Sequence, residues 1–574
     1  MAGLALTALL WADGAHAQTA ARLPVPPQGS PLPGVAAPEG PRLAPGLSRP
    51  PPPSAPVETS TGATHLIATL VVDDVTAFSP AAVSALTGHL TGSAVPEGQI
   101  EASRRALVDL YRSHGYVYTT VRAIIHGTEL RFQVVEGYVA AVKLDGDIGP
   151  AGLQVLRFLN HLVGEIPLRT SELERWLLLA QDIPGLTVRS VLNPSLGDPG
   201  ALTLVAQVSR RVTSGYVSAD NRAFNLSGPE EGLGVFNIDS LTEFGERTQL
   251  SLFGAFDGTN LFGQLSEEMY LGGSGLKLKL YAGIGHSSPS GSLALIGYNG
   301  VTRVFGGQIS YPLIRARTQS LNLTANFDAT ESDIHDDLGP DGASVRGSFD
   351  SLRMLRFGAD YALLDTVLGP DRSGLNEFTA KLTQGLALFG ASRNGDTTTP
   401  PARVGEKIDF TKFTGEISRT QTLFHPYADA TIAFVGAIGG QYATELLPPS
   451  EKFYLGGPTF NRGYYYGQVS GDKALTISAE LQLNTPLPMS SKLPFDMKSQ
   501  FYLFYDWGAA WQNTSLESDV TVRSAGMGVR LFIAHSTEVD LEGVYRISLF
   551  PNGQGPDVSP LNAEAFYWQV LQRF

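Results

Sequence analysis

Across residues 210–574 apolar and polar side chains alternate one for one, in runs about ten residues long. Leu276, Leu278, Leu280, Ala282 and Ile284 alternate with Lys277, Lys279, Tyr281, Gly283 and Gly285. Leu321, Leu323, Ala325 and Phe327 alternate with Asn322, Thr324, Asn326 and Asp328. The clearest run sets Leu475, Ile477, Ala479, Leu481 and Leu483 against Thr476, Ser478, Glu480, Gln482 and Asn484. Successive side chains of a strand point to opposite faces, so each run has one apolar and one polar face. Amphipathic helices need a repeat of about 3.6 residues, and this region lacks it.

Strand length separates the two architectures that alternate in this way. Strands of soluble sandwiches average about five or six residues, whereas about ten residues cross a bilayer when tilted. Lipid offers no partner to an unpaired backbone group, so a membrane sheet has to close on itself. At about 23 residues per strand and connection, the 365 residues of this region give roughly 16 strands. Composition agrees: 17% of residues are charged, against about 25% in soluble proteins. Past the first dozen residues no apolar run reaches 18, which excludes transmembrane helices. The fold expected is a transmembrane β-barrel of about 16 antiparallel strands. Segments 333–342 and 390–407 read as its long polar loops.

The residues ahead of this region fall into four parts. Residues 4–12 (LALTALLWA) followed by Ala15, His16 and Ala17 read as a signal peptide, 1–17, cut after Ala17. Residues 18–64 read as an extended linker, because 13 of the 37 prolines lie between positions 23 and 56. Residues 65–137 and 138–209 read as two small α+β modules of about 70 residues each. In the first, a strand over 66–72 precedes helices over 80–90 and 97–113 and strands over 116–125 and 129–135. In the second, the same order places a strand at 139–144, helices at 153–162 and 171–181, and strands at 187–192 and 201–208.

Several kinds of chemistry are disfavoured. There is no cysteine, which removes disulfides, thiolate metal sites and thiol nucleophiles. The net charge of −14 argues against a nucleic-acid partner. Neither a metalloprotease H-E-x-x-H, a G-x-S-x-G elbow nor a phosphate-binding G-x-x-x-x-G-K-[ST] occurs, so no enzymatic activity, cofactor or metal is expected. Asp333, Asp336, Asp337 and Asp341 lack the spacing of a calcium loop and read as a solvated surface.

Two motifs remain. Gly456, Gly457, Pro458, Thr459, Phe460, Asn461, Arg462, Gly463 and Tyr464 run consecutively, ahead of Ser470, Gly471 and Asp472. Further on, Phe504, Asp506 and Gly508 occupy alternate positions of one strand. The chain ends with Phe566, Trp568, Val570 and Phe574 on one alternating face, interrupted by Gln572. Strand alternation puts Asp506 on the face of Tyr502, Phe504 and Gly508. That face is assigned to the lumen, since a carboxylate turned to lipid is costly.

Together these motifs resemble those of the two-partner secretion transporters, the haemolysin and adhesin secretion-activation family of POTRA-plus-barrel proteins. The resemblance implies a 16-stranded outer-membrane barrel behind two periplasmic POTRA modules that capture an unfolded exoprotein. It also implies contact with outer-membrane lipid and a barrel assembly machinery that inserts the chain. Within the barrel it implies an inner loop whose Arg462, Gly463 and Tyr464 meet the wall at Phe504, Asp506 and Gly508, with a C-terminal barrel signal at Phe566, Trp568, Val570 and Phe574. An arginine fork can satisfy an aspartate bidentately, and glycines permit the close approach. The alternative is an assembly and insertion factor, a class that usually carries three or five modules; a passive porin leaves the modules unexplained. Two departures stand out. Asn461 replaces a common valine, and the proline-rich stretch stands where several members have a plug helix.

Overall fold

A computed structural model describes residues 63–195, 197–224, 228–395, 399–487, 497–534, 536–551 and 560–574. The expected signal peptide, and the expected linker up to residue 62, lie outside the described residues. The chain divides into two compact units.

One unit holds the two modules. In the first, strand Thr69–Asp73 runs parallel to Glu129–Val135, which is antiparallel to Thr120–His126. Helix Pro80–Thr87 begins at Ser79, whose hydroxyl accepts from the Ala82 amide at 3.4 Å. Helix Glu97–Ser113 buries Ile100, Leu107 and Tyr111, two turns and one turn apart, against Leu130, Phe132 and Val134 of the sheet. The single strand expected at 66–72 is broken at Ala68 into Thr64–Ile67 and Thr69–Asp73. The first piece pairs with Gly92–Pro96, a strand not expected from its sequence. Five residues of Gly-Ser-Ala-Val-Pro carry too little alternation to be read locally; the pairing itself makes them a strand.

The second module repeats the arrangement. Strand Tyr138–Gly146 is parallel to Ala201–Arg210, which is antiparallel to Leu186–Pro194. Helices Gly152–Leu159 and Thr170–Gln181 bury Val155, Phe158, Leu178 and Leu179. The two modules are joined by hydrogen bonds: the amide and hydroxyl of Thr170 donate to the Gly115 carbonyl at 2.9 and 2.8 Å, and Arg169 Nε donates to the Tyr116 hydroxyl at 2.9 Å.

The other unit is a closed barrel of sixteen strands among the described residues, every neighbour antiparallel. The strands range from eight residues in Thr213–Asp220 to 21 in Val345–Asp365. Closure pairs the first strand with the last, Glu564–Arg573, from Gln569 opposite Asp220 to Arg573 opposite Tyr216. The ladder continues one step further, since Phe574 and Gly215 exchange both backbone hydrogen bonds at 3.0 and 3.1 Å. A side chain at Gly215 would meet the Phe574 ring at 2.7 Å, so glycine is what lets the chain end lie there.

Burial in the barrel is inverted. In strand Lys473–Pro486 the apolar Ile477 and Leu481 are 41% and 43% exposed, while Thr476 and Glu480 are 0% and 6% exposed. The apolar face therefore meets lipid and the polar face fills the lumen. Phe566, Val570 and Phe574 likewise lie exposed on the outward face, with Trp568 partly covered, while Tyr567 and Leu571 point inward. One loop expectation is corrected. Residues 333–336 belong to strand Gln319–Asp336, because the ladder with Val345–Asp365 runs on through them. Arg346 neutralises Asp333 there at 2.8 and 3.0 Å, so the acidic run does not stop the strand.

Candidate functional site: an inner loop fastened to the barrel wall

Residues 444–472 join strand Thr431–Ala443 to strand Lys473–Pro486. The root of this loop is a ribbon in which Phe453–Leu455 pairs antiparallel with Val469–Gly471. Phe453, Leu455, Tyr464 and Val469 are buried against Ala474, Ala510 and Val522 of the wall, so the loop folds into the lumen. Gly456 and Gly457 turn the chain with φ of 104° and 98°. A side chain on Gly456 would strike the Tyr465 carbonyl at 2.0 Å, so no other residue fits that turn.

The tip of the loop carries Arg462, buried at 3% exposure. Its Nε and Nη2 donate to the two carboxylate oxygens of Asp506, each at 3.0 Å, and its backbone amide donates to Asp506 Oδ2 at 2.8 Å. The same guanidinium pairs through Nη1 with Glu480 and through Nη2 with Ser478 Oγ at 3.1 Å. It lies over the Phe504 ring, 3.7 Å from the centroid. Asp506 is fully buried and also accepts from Ser478 Oγ at 2.7 Å. Ser478, Asp506 and Ser524 stand directly opposite one another on three neighbouring strands. Removing charges from water costs several kcal/mol per ion, of order, and is repaid only by complete pairing of this kind.

Further groups extend the fastening. Glu480 is shared with Arg530, whose Nη1 lies 2.8 Å away and which stacks on Tyr502. Arg222, from the loop after the first strand, donates to the Arg462 carbonyl at 2.9 Å and pairs with Glu542 at 2.6 Å. The Gly463 carbonyl accepts from Arg546 and, at 3.1 Å, from the Tyr567 hydroxyl, while the Gly463 amide donates to Ser524 Oγ at 3.2 Å. Tyr464 places its hydroxyl 2.8 Å from the carbonyls of Arg523 and Ser548.

Both glycines of the motifs are needed for contact. A Cβ on Gly463 would meet Ser524 Cβ at 2.5 Å, and one on Gly508 would meet Asn461 Oδ1 at 2.4 Å. Asn461 itself has φ 54°, a conformation asparagine tolerates better than β-branched residues. It is fully buried, and its amide oxygen and nitrogen have no hydrogen-bond partner among the described residues.

The structure thus gathers Arg462, Gly463, Tyr464, Phe504, Asp506 and Gly508 at one place, and sets Phe566, Trp568, Val570 and Phe574 apart on the outside of the wall. Sequence reading missed Glu480, Ser478, Arg530, Arg222, Arg546 and Tyr567. Glu480 and Ser478 were legible as members of a polar face that must be luminal, but their alignment with Asp506 depends on strand register. Arg222 is 240 residues from Arg462 in sequence, and no local pattern announces it. Among the described residues no group of three or more His, Asp or Glu side chains is placed to hold a metal ion.

Comparison with known proteins follows the same division of the chain. The model of the haemolysin secretion/activation protein family ShlB/FhaC/HecB matches residues 201–531, and that of the ShlB-type POTRA domain matches residues 65–137. A curated relative, the heme/hemopexin transporter protein HuxB of Haemophilus influenzae strain 86-028NP, is 22% identical over 479 residues, covering 79% of this chain and 78% of its own. Among solved structures, CdiB from Escherichia coli superposes with a TM-score of 0.69 at 16% identity, covering 92% of this chain and 93% of its own. CdiB from Acinetobacter baumannii gives 0.61 at 14% identity, covering 89% and 90%. These two likenesses show a common fold.

Proposed function

The chain belongs to the haemolysin secretion/activation protein family, and from that premise we propose that the Arg462 cluster keeps the inner loop in the state that permits export. The protein is a two-partner secretion transporter of the bacterial outer membrane, a barrel behind N-terminal periplasmic POTRA modules, and its substrate is an exoprotein. The observation that carries the proposed role is the shared burial of Arg462, Asp506 and Glu480 inside a closed barrel. The tip cannot shift along the wall without exposing a buried charge to an apolar or mismatched neighbour. Phe566, Trp568, Val570 and Phe574 are proposed as the outward-facing signal read by the assembly machinery that inserts the barrel.

The modules, spanning about 65–137 and 138–209, are proposed to receive the unfolded exoprotein by strand addition. Edge strand Leu186–Pro194 supports this: it pairs only with Ala201–Arg210 among the described residues, and its open sheet face presents Thr187, Arg189, Val191 and Asn193. Export without nucleotide or catalysis draws on the folding of the exoprotein outside the cell, and the chain acts as a conduit rather than an enzyme. Reconstituted secretion in cells tests the role of the cluster. Asp506→Ala is expected to lower surface-delivered exoprotein at least tenfold while the barrel reaches the membrane in normal amount. Unchanged secretion by that variant would refute the assignment.

A further inference from the structure

A second buried ion pair lies outside the cluster just described. Because the modules precede the first strand on the periplasmic side, the connections 386–410, 444–472 and 512–519 all lie at the outer end of the barrel. Arg403, in the first of these, uses all five of its guanidinium donors. Nη1 and Nη2 grip the two Asp472 oxygens at 2.6 and 3.0 Å, Nη1 also reaches the Leu447 carbonyl at 3.0 Å, Nη2 reaches Gln512 Oε1 at 3.1 Å, and Nε pairs with Glu517. Asp472, fully buried at the root of the inner loop, accepts in addition from the amides of Leu447 at 2.9 Å and Asn513 at 2.7 Å. Lys452 closes the circuit to Glu517 at 2.8 Å.

An apolar contact accompanies this junction. Ile408 and Phe410, at the end of connection 386–410, are buried against Leu352, Met354, Ala443 and Leu447. Leu352 and Met354 share their strand face with Arg356, which pairs in the lumen with Asp328 at 2.7 Å and with Glu451 of the inner loop at 2.8 Å. The connection therefore turns inward, and Arg403 ties it to the loops on either side of strands Lys473–Pro486 and Met497–Trp511.

From this geometry we propose that Arg403 is a positioning residue that acts through Asp472: it clamps three outer connections into one closed block over the barrel mouth, and export requires this clamp to open while the tip of the inner loop stays on the wall. A pair with every donor and acceptor committed has two states, made or broken, and half-broken forms leave a buried charge. Arg403 and Arg462 thus hold the same loop at root and tip by separate means. The export part rests on the reading that the exoprotein leaves through the lumen.

The test uses the full-length transporter. In planar bilayers without exoprotein, Arg403→Ala is expected to raise the time spent in open conductance at least tenfold, with the barrel equally abundant and equally resistant to heat in gels. Arg403→Lys, which keeps the charge and loses the fork, should fall between. It carries the same test should Arg403→Ala not assemble, and Val404→Ala at an exposed neighbour should match the unaltered protein. Wild-type conductance in Arg403→Ala and Arg403→Lys would overturn the clamp. In cells, Arg403→Cys with Asp472→Cys places the only two thiols in the chain across the junction. Bridging them with a short cleavable bifunctional reagent should lower exported exoprotein at least tenfold, and cleavage should restore it. Raised conductance together with normal export by the bridged variant would overturn the export part alone, because the exoprotein would then take another route.

Discussion

Strands Glu129–Val135 and Lys473–Pro486 alternate in the same way and bury opposite faces. In the periplasmic module Leu130, Phe132 and Val134 are buried beneath helix Glu97–Ser113, and the charged Glu129 and Arg131 of the same strand pair beside water. In the barrel Thr476, Ser478, Glu480 and Gln482 are buried, and Leu475, Ile477 and Leu481 meet lipid. Alternation fixes that a strand has two unlike faces; the medium around the sheet decides which one goes inside. The mean hydropathy of +0.00 is an average over these opposed arrangements. The consequence is energetic: on these two strands charge is peripheral in the module and central in the barrel.

Substitutions can sharpen or break this contrast, the strongest first. Glu480→Ala leaves Arg462 and Arg530 facing a buried gap, and should cost about 3–5 kcal/mol, read as a lower urea midpoint for barrel unfolding in detergent. Leu107→Ala removes a fully buried side chain from the first module and should cost about 2–5 kcal/mol, whereas Leu481→Ala on the lipid face should cost of order 1 kcal/mol. Proteolysis of the modules and urea unfolding of the barrel measure the two separately, and equal costs would erase the contrast.

A pH effect is expected in the outer loops. Burial, and then the neighbouring Asp350, push the Glu406 carboxyl up to about 9, with Arg403 opposing. The closed loop therefore keeps the proton that the released loop loses near the ordinary value of 4.5. Closure is favoured below that pH and weakens as pH rises toward about 9. Open-channel time should increase from pH 5 to pH 9, and Glu406→Gln should flatten the profile. The smallest effect is expected at Glu101, which Arg104 chiefly, with Arg105, holds down to about 2 against a partial burial that raises it. That carboxylate stabilises the module above its ordinary value of 4.5 and ceases to do so as pH falls toward 2. With its side chain 40% exposed, it is worth less than about 1 kcal/mol, and Glu101→Gln should lower protease resistance slightly at pH 6 and less at pH 3.

Much of this architecture was legible from side-chain alternation. The inward orientation of Asp506, Phe504 and Tyr502 follows from strand parity and the cost of a carboxylate in lipid, and all three are buried. Helix Glu97–Ser113 and strand Glu129–Val135 match their expected limits because periodicity and turn residues coincide there. Strand Gly92–Pro96 was hidden because it owes its form to a partner 25 to 32 residues away, with Thr64 opposite Pro96 and Ile67 opposite Gly92. The site was half legible. Arg462 and Asp506 sit in recognisable local motifs, whereas Arg222, Arg530, Arg546 and Arg403 look like ordinary loop or strand arginines until closure brings their partners within reach. Ion pairs between residues 50 to 320 positions apart are set by register and loop path, which a single sequence does not encode locally.

Exchanging Arg462 and Asp506 would be an unclear test, because an acid at 462 would confront Glu480. The most direct measurement is a double-mutant cycle of secretion with Arg462→Met, Asp506→Asn and the two together, at matched barrel abundance. If the pair works as one fastening, each single change lowers export strongly and the double variant is no worse than either. Losses that multiply in the double variant, or a single change that exports normally, would contradict the account.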